Sequence, residues 1–139
     1  MPKTKLAGLY FLEYIGPGDS GWRRRISGHN SPVFFYRTRA GIEPVRVWLR
    51  GLPEADRRTI GFDLHRVQTE WPIGMPLCRS LGGGLWELRS NLPSWRTSRL
   101  IFFIEEGEIY IVHAFIKKTK KTPDEDIALA ARRMKETKE

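Results

Sequence analysis

The sequence contains few of the residues that build metal centres or disulfides. Its 139 residues include one cysteine, Cys78, and three histidines. A lone cysteine can form neither an intrachain disulfide nor a cysteine-based metal site, and the dispersed histidines have no metal-ligand spacing. We therefore expect no metal and no other cofactor. The scarcity of cysteine also favours a reducing compartment.

Long apolar runs are scarce as well. The longest uncharged ones, such as residues 100–104 and 109–112, are far too short to span a bilayer. The N-terminal apolar stretch is broken by Glu13, Gly16 and Pro17, which makes it a poor signal peptide. These features predict a cytoplasmic protein with no membrane partner.

Positive charge, in contrast, is abundant. Lys and Arg number 24 against 16 for Asp and Glu, a formal net charge of +8. With 40% hydrophobic residues the chain can build the core of one ordinary domain. The excess of cations favours a polyanionic partner, nucleic acid first and an anionic membrane surface second. The alternative is that the charge serves solubility alone.

Apolar periodicity predicts the element order β, α, α, β, β, β, α. Strands are expected at residues 33–37, 85–89, 95–104 and 108–116, and a hairpin turn at Glu106 and Gly107. Helices are expected to begin at Pro44, at Pro53 and after Thr122, with Thr122 as the cap and Glu125 completing a capping box. Residues 72–84 are interpreted as a loop. This order predicts an α+β fold, a mostly antiparallel four-stranded sheet with a helical hairpin and a C-terminal helix packed on one face.

Residues 1–31 have a different composition, rich in Gly, Ser and Arg, with a basic knot at residues 23–25. We interpret them as an N-terminal extension, either an arm that touches a partner or a poorly ordered segment, and prefer the second. The folded domain is expected to cover residues 32–139.

Several segments of the domain, taken in order, carry a family resemblance. They are VFFYRT with EPVRVWLRGLP, then LWELR, SRLIFF, FIKKTKKTP and a helix ending in ARRM. Together they resemble the HigB-like branch of the RelE/ParE toxin superfamily over residues 32–136. The resemblance implies a RelE-like fold and a type II toxin that cleaves messenger RNA in the ribosomal A site. It also implies a cognate antitoxin, often of the helix-turn-helix type.

The candidate phosphate-binding residues are arginines of the two middle strands. Metal-free RNA cleavage needs cations that neutralise the charge growing on the phosphorane, and the guanidinium fork suits that task. Arg99 matches the arginine that enters the third strand in the family, and is our first candidate for phosphate ligand and transition-state stabiliser. The alternative is a surface arginine paired with Glu87 across strands. Arg89 is expected on the same face.

Glu87 departs from the better-studied RelE branch, where lysines occupy this strand. It is a candidate base or a residue that orients Arg89. The densest basic cluster follows the fourth strand and is expected to contact the RNA backbone: Lys117, Lys118, Lys120 and Lys121. We expect Lys118 to lie nearest the scissile phosphate, in one concavity with Arg89 and Arg99.

Two further residues have alternative interpretations. Strand alternation predicts that His113 shares a side with Ile109, Ile111 and Phe115, as a buried hydrogen-bonded residue; proton transfer is the alternative. Phe103 is a candidate base-stacking platform. The whole chain also has a competing interpretation, a protein of the same fold that cleaves nothing. Such a protein would be a gyrase poison, as on the ParE side, or a basic nucleic-acid-binding module.

Overall fold

The computed structural model of the chain describes residues 4–6 and 31–139. The rest of the predicted extension, residues 1–3 and 7–30, lies outside the described residues, so the division at residue 31 stays a prediction. The elements in chain order are β1 (Thr4–Leu6), β2 (Val33–Phe35), α1 (Pro44–Arg50), α2 (Glu54–Glu70), β3 (Cys78–Gly82), β4 (Leu85–Asn91), β5 (Thr97–Glu105), β6 (Glu108–Ile116) and α3 (Asp124–Lys138).

The described strands form one sheet in the order β1-β2-β6-β5-β4-β3. Neighbours are antiparallel except β2 and β6, which run parallel. The predicted α+β class and mostly antiparallel sheet are therefore confirmed, and the hairpin at Glu106 and Gly107 forms with positive φ at both residues.

The sheet is larger than the predicted four strands, because β1 and β3 add to it. The interpretation of residues 72–84 as a loop is wrong for β3, which pairs with β4. Gly83 and Gly84 have φ of 63° and 90° and form the turn of a β-hairpin. Two adjacent glycines after a short alternating run are a hairpin signal that the loop interpretation overlooked.

Helices lie on both faces of the sheet, which corrects the prediction of a single face. One buried cluster joins α1 and α2 to the sheet and includes Val45, Leu64, Leu88, Leu100 and Phe102. A second cluster joins α3 to the opposite face and includes Phe34, Leu85, Ile101, Phe103, Tyr110 and Ala130. Strands β5 and β6 are apolar on both faces, so each face can bury its own helices.

A bulge in β6 changes which face His113 occupies. Ile101 pairs with His113, whereas Phe102 pairs with Ile111, so Val112 is the extra residue. The Val112 carbonyl accepts a 2.8 Å hydrogen bond from Arg133 Nη1 of α3. His113 consequently lies on the α3 face with Ile101, and its predicted placement beside Ile109 and Ile111 is wrong.

The predicted helix starts are correct to within a residue, but one cap is not. Helix α3 begins at Asp124, its N-cap is Pro123, and no side chain caps it. The Thr122 hydroxyl donates a hydrogen bond to the buried Glu87 carboxylate instead. The predicted capping role of Thr122 is therefore wrong, because this tertiary contact takes its hydroxyl.

None of the described helices combines the length and apolar character needed to cross a bilayer. Within the same residues, no group of three or more His, Cys, Asp or Glu side chains could hold a metal ion.

Cys78 provides a pH-dependent test of this core. Its side chain is buried, and burial raises the pKa of the thiol from 9.0 to about 11. A thiol that ionises more easily in the unfolded chain destabilises the fold as pH rises. We expect Cys78→Ser to lessen the loss of stability between pH 9 and about 11, measured as the free energy of unfolding in urea. An identical pH slope in the two proteins would contradict the burial of this thiol.

Candidate active site

Two cross-strand rows of side chains lie on the α3 face of the sheet. Strand register aligns the first row as Arg79, Glu87, Ile101 and His113, and the second as Arg89, Arg99 and Phe115. Because neighbouring strands lie about 4.8 Å apart, each row brings residues from distant parts of the chain together. The three arginines form a group around Glu87, here called the cation cluster.

Glu87 is the buried carboxylate at the centre of the cation cluster. Its side chain is 1% exposed, and its Oε1 lies 3.6 Å from Nε of both Arg89 and Arg99. Its Oε2 accepts the hydrogen bond from the Thr122 hydroxyl. One buried carboxylate therefore holds two guanidinium groups and the segment that precedes α3.

Arg99 is buried beneath the chain segment of residues 117–121, the lysine loop. It is 1% exposed. Nη1 donates to the Thr122 hydroxyl at 3.0 Å and Nη2 donates to the Lys120 carbonyl at 2.5 Å. The pKa of Arg99 is lowered, chiefly because the guanidinium is buried. The Glu87 carboxylate opposes this shift, whereas the neighbouring charges of Arg89 and Arg79 add to it. An arginine stays charged under such influences, so the site keeps a fixed positive charge below its surface.

The burial of Arg99 bears on its predicted role as a phosphate ligand. The expected partnership with Glu87 exists, but in the interior and not at the surface. A phosphate could touch Arg99 only if the lysine loop moved. With its present contacts, Arg99 supports the backbone of that loop.

The lysine loop has a fixed backbone and exposed side chains. Lys117 N donates to the Thr97 carbonyl at 2.8 Å, and the Lys120 carbonyl is held by Arg99. Lys118, Lys120 and Lys121 are exposed. Lys121 Nζ lies 3.9 Å from Asp124 Oδ1, but both side chains are more than 80% exposed, so water screens the pair. The loop therefore presents ammonium groups from one place on the surface.

A small cavity lies where the lysine loop meets β3. Its volume is about 160 Å³, and its lining residues include Arg79, Ser80, Lys121 and Thr122. A larger cavity, of about 410 Å³, is lined by Arg89 together with Asp63 and Arg66 of α2. Arg89 and Lys121 thus line different cavities. The single concavity expected for Arg89, Arg99 and Lys118 stays a prediction.

His113 is tied to α3. Its Nε2 lies 2.8 Å from Asp126 Oδ1, and its side chain is 15% exposed. In the first row Ile101 separates His113 from Glu87. The histidine therefore connects β6 to the first turn of α3, one strand away from the cation cluster.

The structure does not offer Phe103 as a stacking platform. The ring is 1% exposed and stacks on Tyr110 with centroids 4.9 Å apart. Lys138 Nζ lies 5.4 Å from its centroid. Helix α3 covers the ring, so a base cannot reach it while the helix is in place.

Sequence reasoning missed three residues of the site: Arg79, Thr122 as a Glu87 ligand, and Asp126. Arg79 was hidden in the segment interpreted as a loop. The Gly83 and Gly84 hairpin signal would have placed it on a strand beside β4, but only the register shift between Ser80 and Gly82 sets it opposite Glu87. Thr122 was assigned to a helix cap. No sequence signal pairs Asp126 with His113, because the bulge at Val112 sets that face.

The cation cluster predicts a large effect of removing Glu87. Glu87→Gln leaves Arg99 buried without an opposing charge, and we expect a loss of about 3–5 kcal/mol in the free energy of unfolding. Glu54→Gln, which breaks an exposed pair with Arg58, should cost less than about 1 kcal/mol. Urea denaturation of both variants measures the difference. Combining Glu87→Gln with Arg99→Met should recover stability. Equal losses of stability in Glu87→Gln and Glu54→Gln would contradict the role of Glu87.

The comparison with known families agrees with this architecture. The family model described as phage derived protein Gp49-like (DUF891) matches residues 47–135, more than half of the chain. The match spans the cation cluster, the lysine loop and most of α3. No curated protein and no solved structure matches the chain. The chain therefore belongs to the phage-derived Gp49-like family, a RelE/HigB-type toxin family, and its membership implies a cognate antitoxin.

Proposed function

We propose that this protein is a HigB-like toxin that cleaves messenger RNA in the ribosomal A site, without a metal, and that a helix-turn-helix antitoxin holds it inactive. One observation carries the proposal. The cavity of about 160 Å³ has two cationic residues, Arg79 and Lys121, in its lining, together with Thr122, whose hydroxyl bonds to Arg99 and Glu87.

The volume of this cavity suits a phosphodiester group. It equals several water molecules at about 30 Å³ each. Arg79 offers a planar fork to two phosphate oxygens, whereas Lys121 offers a point charge. The arrangement would neutralise an anion from two sides, as preorganised cations do at a developing phosphorane.

The buried residues would keep these cations in place. Arg99 holds the lysine loop through the Lys120 carbonyl, and Glu87 holds Arg99 and Thr122. Lys117, Lys118 and Lys120 would follow the RNA backbone on either side of the scissile phosphate. Arg89, with its side chain 24% exposed, would contact a neighbouring phosphate.

The reaction we propose is attack of the 2′-hydroxyl on its own phosphate. The 2′-oxygen forms a bond to phosphorus as the bond to the 5′-oxygen breaks. The 2′-hydroxyl proton leaves, and the 5′-oxygen gains a proton. The products are a 2′,3′-cyclic phosphate and a 5′-hydroxyl. The cations lower the barrier by stabilising the dianionic phosphorane between these two bonds.

Mapping of messenger RNA ends tests the activity. Expression of the protein in bacterial cells should arrest growth and create new 5′-hydroxyl ends in translated messages only. Arg79→Ala should lower the cleavage rate on translating ribosomes about 10²–10³-fold, because it removes one cation from the developing charge. The comparison is made with purified, folded protein.

Arg58→Ala is the matched control. It removes one guanidinium group from α2, on the other side of the sheet, and changes the net charge by the same amount. Its cleavage rate should stay within about twofold of wild type. Equal losses in both variants would show a general charge effect. Intact message ends with double-strand DNA breaks would instead establish a gyrase poison.

His113 allows the proton-transfer alternative to be tested. We expect His113→Gln to lower the melting temperature and to leave the cleavage rate of the folded protein nearly unchanged, because His113 holds α3 through Asp126. Asp126→Asn should behave in the same way. A loss of 10²–10⁴-fold in rate for His113→Gln, with an unchanged melting temperature, would make His113 the general acid or base.

A further inference from the structure

Trp95 is exposed in an unusual way. It is 99% exposed, the highest value among the large hydrophobic side chains of the described residues. Its φ is 65°, in the left-handed region that bulky residues seldom adopt. A strained backbone that displays an indole to water costs stability and gains nothing from packing. Such strain concentrates at sites that serve function.

The turn around Trp95 is held rigidly on both sides. Asp56 of α2 is 1% exposed and accepts hydrogen bonds from Ser94 N at 3.3 Å, Ser94 Oγ at 2.8 Å and Arg96 Nη2 at 3.3 Å. Within the turn, Leu92 N donates to the Arg96 carbonyl at 2.8 Å. Trp95 is therefore displayed from a fixed support.

The turn lies at the same end of the sheet as the cations. It joins β4 to β5 directly after the Asn91–Thr97 pair, two residues beyond the Arg89–Arg99 pair. The lysine loop begins beside it, since Lys117 N bonds to the Thr97 carbonyl. An aromatic platform next to a cationic track is the arrangement that binds single-stranded nucleic acid.

We propose that Trp95 stacks on an unpaired base of single-stranded RNA, while Arg96 and the lysine loop bind the adjoining phosphates. This inference rests on the proposed function for its choice of ligand, and adds to it a binding site outside the cavity at Arg79. The surroundings of Trp95 favour RNA over a protein. Its neighbours Pro93, Ser94 and Arg96 are exposed, so no apolar patch surrounds it. Arg96 forms an ion pair with Asp56 at 3.3 Å, but its side chain stays 44% exposed and can also meet a phosphate.

Fluorescence anisotropy with labelled 2′-O-methyl RNA measures this binding separately from cleavage, because the blocked 2′-oxygen cannot attack the phosphate. We expect Trp95→Ala to raise the Kd about tenfold or more, and Trp95→Phe to restore most of the affinity. The slope of log Kd against log salt concentration should not change, because no cation is lost. Lys118→Ala should instead reduce that slope.

Two controls separate stacking from folding. Val47→Ala truncates another exposed apolar side chain, 60% exposed on α1, and should not change the Kd. Trp95→Gly fits the positive φ without strain, so it should keep or raise the melting temperature while weakening RNA binding as Trp95→Ala does.

An abasic position in the RNA identifies the stacked base. For the wild type, one abasic site should weaken binding, and for Trp95→Ala the same site should have little further effect. Equal RNA affinity of wild type and Trp95→Ala would overturn the proposal, as would an absence of RNA binding or a loss confined to antitoxin binding. RNA binding that depends on Trp95 without cleavage on ribosomes would refute the proposed function and leave this inference standing.

Discussion

The contact of Glu87 with Arg99 and Thr122 is the interaction on which the cation surface depends. It joins β4, β5 and the segment before α3 below the surface of the sheet. Burying a charge costs several kcal/mol even after the protein relaxes. Here the carboxylate meets two guanidinium groups and a hydroxyl, so its charge is compensated. The exposed cations, Arg79 and three lysines of the lysine loop, lie outside this buried group.

The fold was largely predictable because most of its signals are local. The apolar stripes of α1 and α2 and the Glu106–Gly107 turn each appear within a dozen residues. The errors arose where tertiary contacts decided. Because β5 and β6 are apolar on both faces, their sequence does not indicate which helix packs on which face of the sheet. The carbonyl of the bulge residue Val112 is satisfied by Arg133 of α3, a partner that local sequence does not indicate.

The sequence predicted which face of the sheet the site residues of β4 and β5 occupy, but not whether their side chains are buried or exposed. Alternation correctly put Glu87, Arg89 and Arg99 on one side of the sheet. It does not tell whether a side chain on that side is covered, and here α3 and the lysine loop cover Arg99 and Phe103. Thr122 illustrates the same limit. Its position before a helix favours a cap, but a buried carboxylate is a stronger partner for its hydroxyl.

The parallel pairing of β2 with β6 also governs the order in which the molecule can be completed during translation. Strand β2 is synthesised early, yet its central neighbour begins only at Glu108, and the threonine that closes over Glu87 comes later still. Such long-range pairing must first overcome the entropy of closing a long loop. A nascent chain thus acquires its assembled cations only after residue 122 has been made.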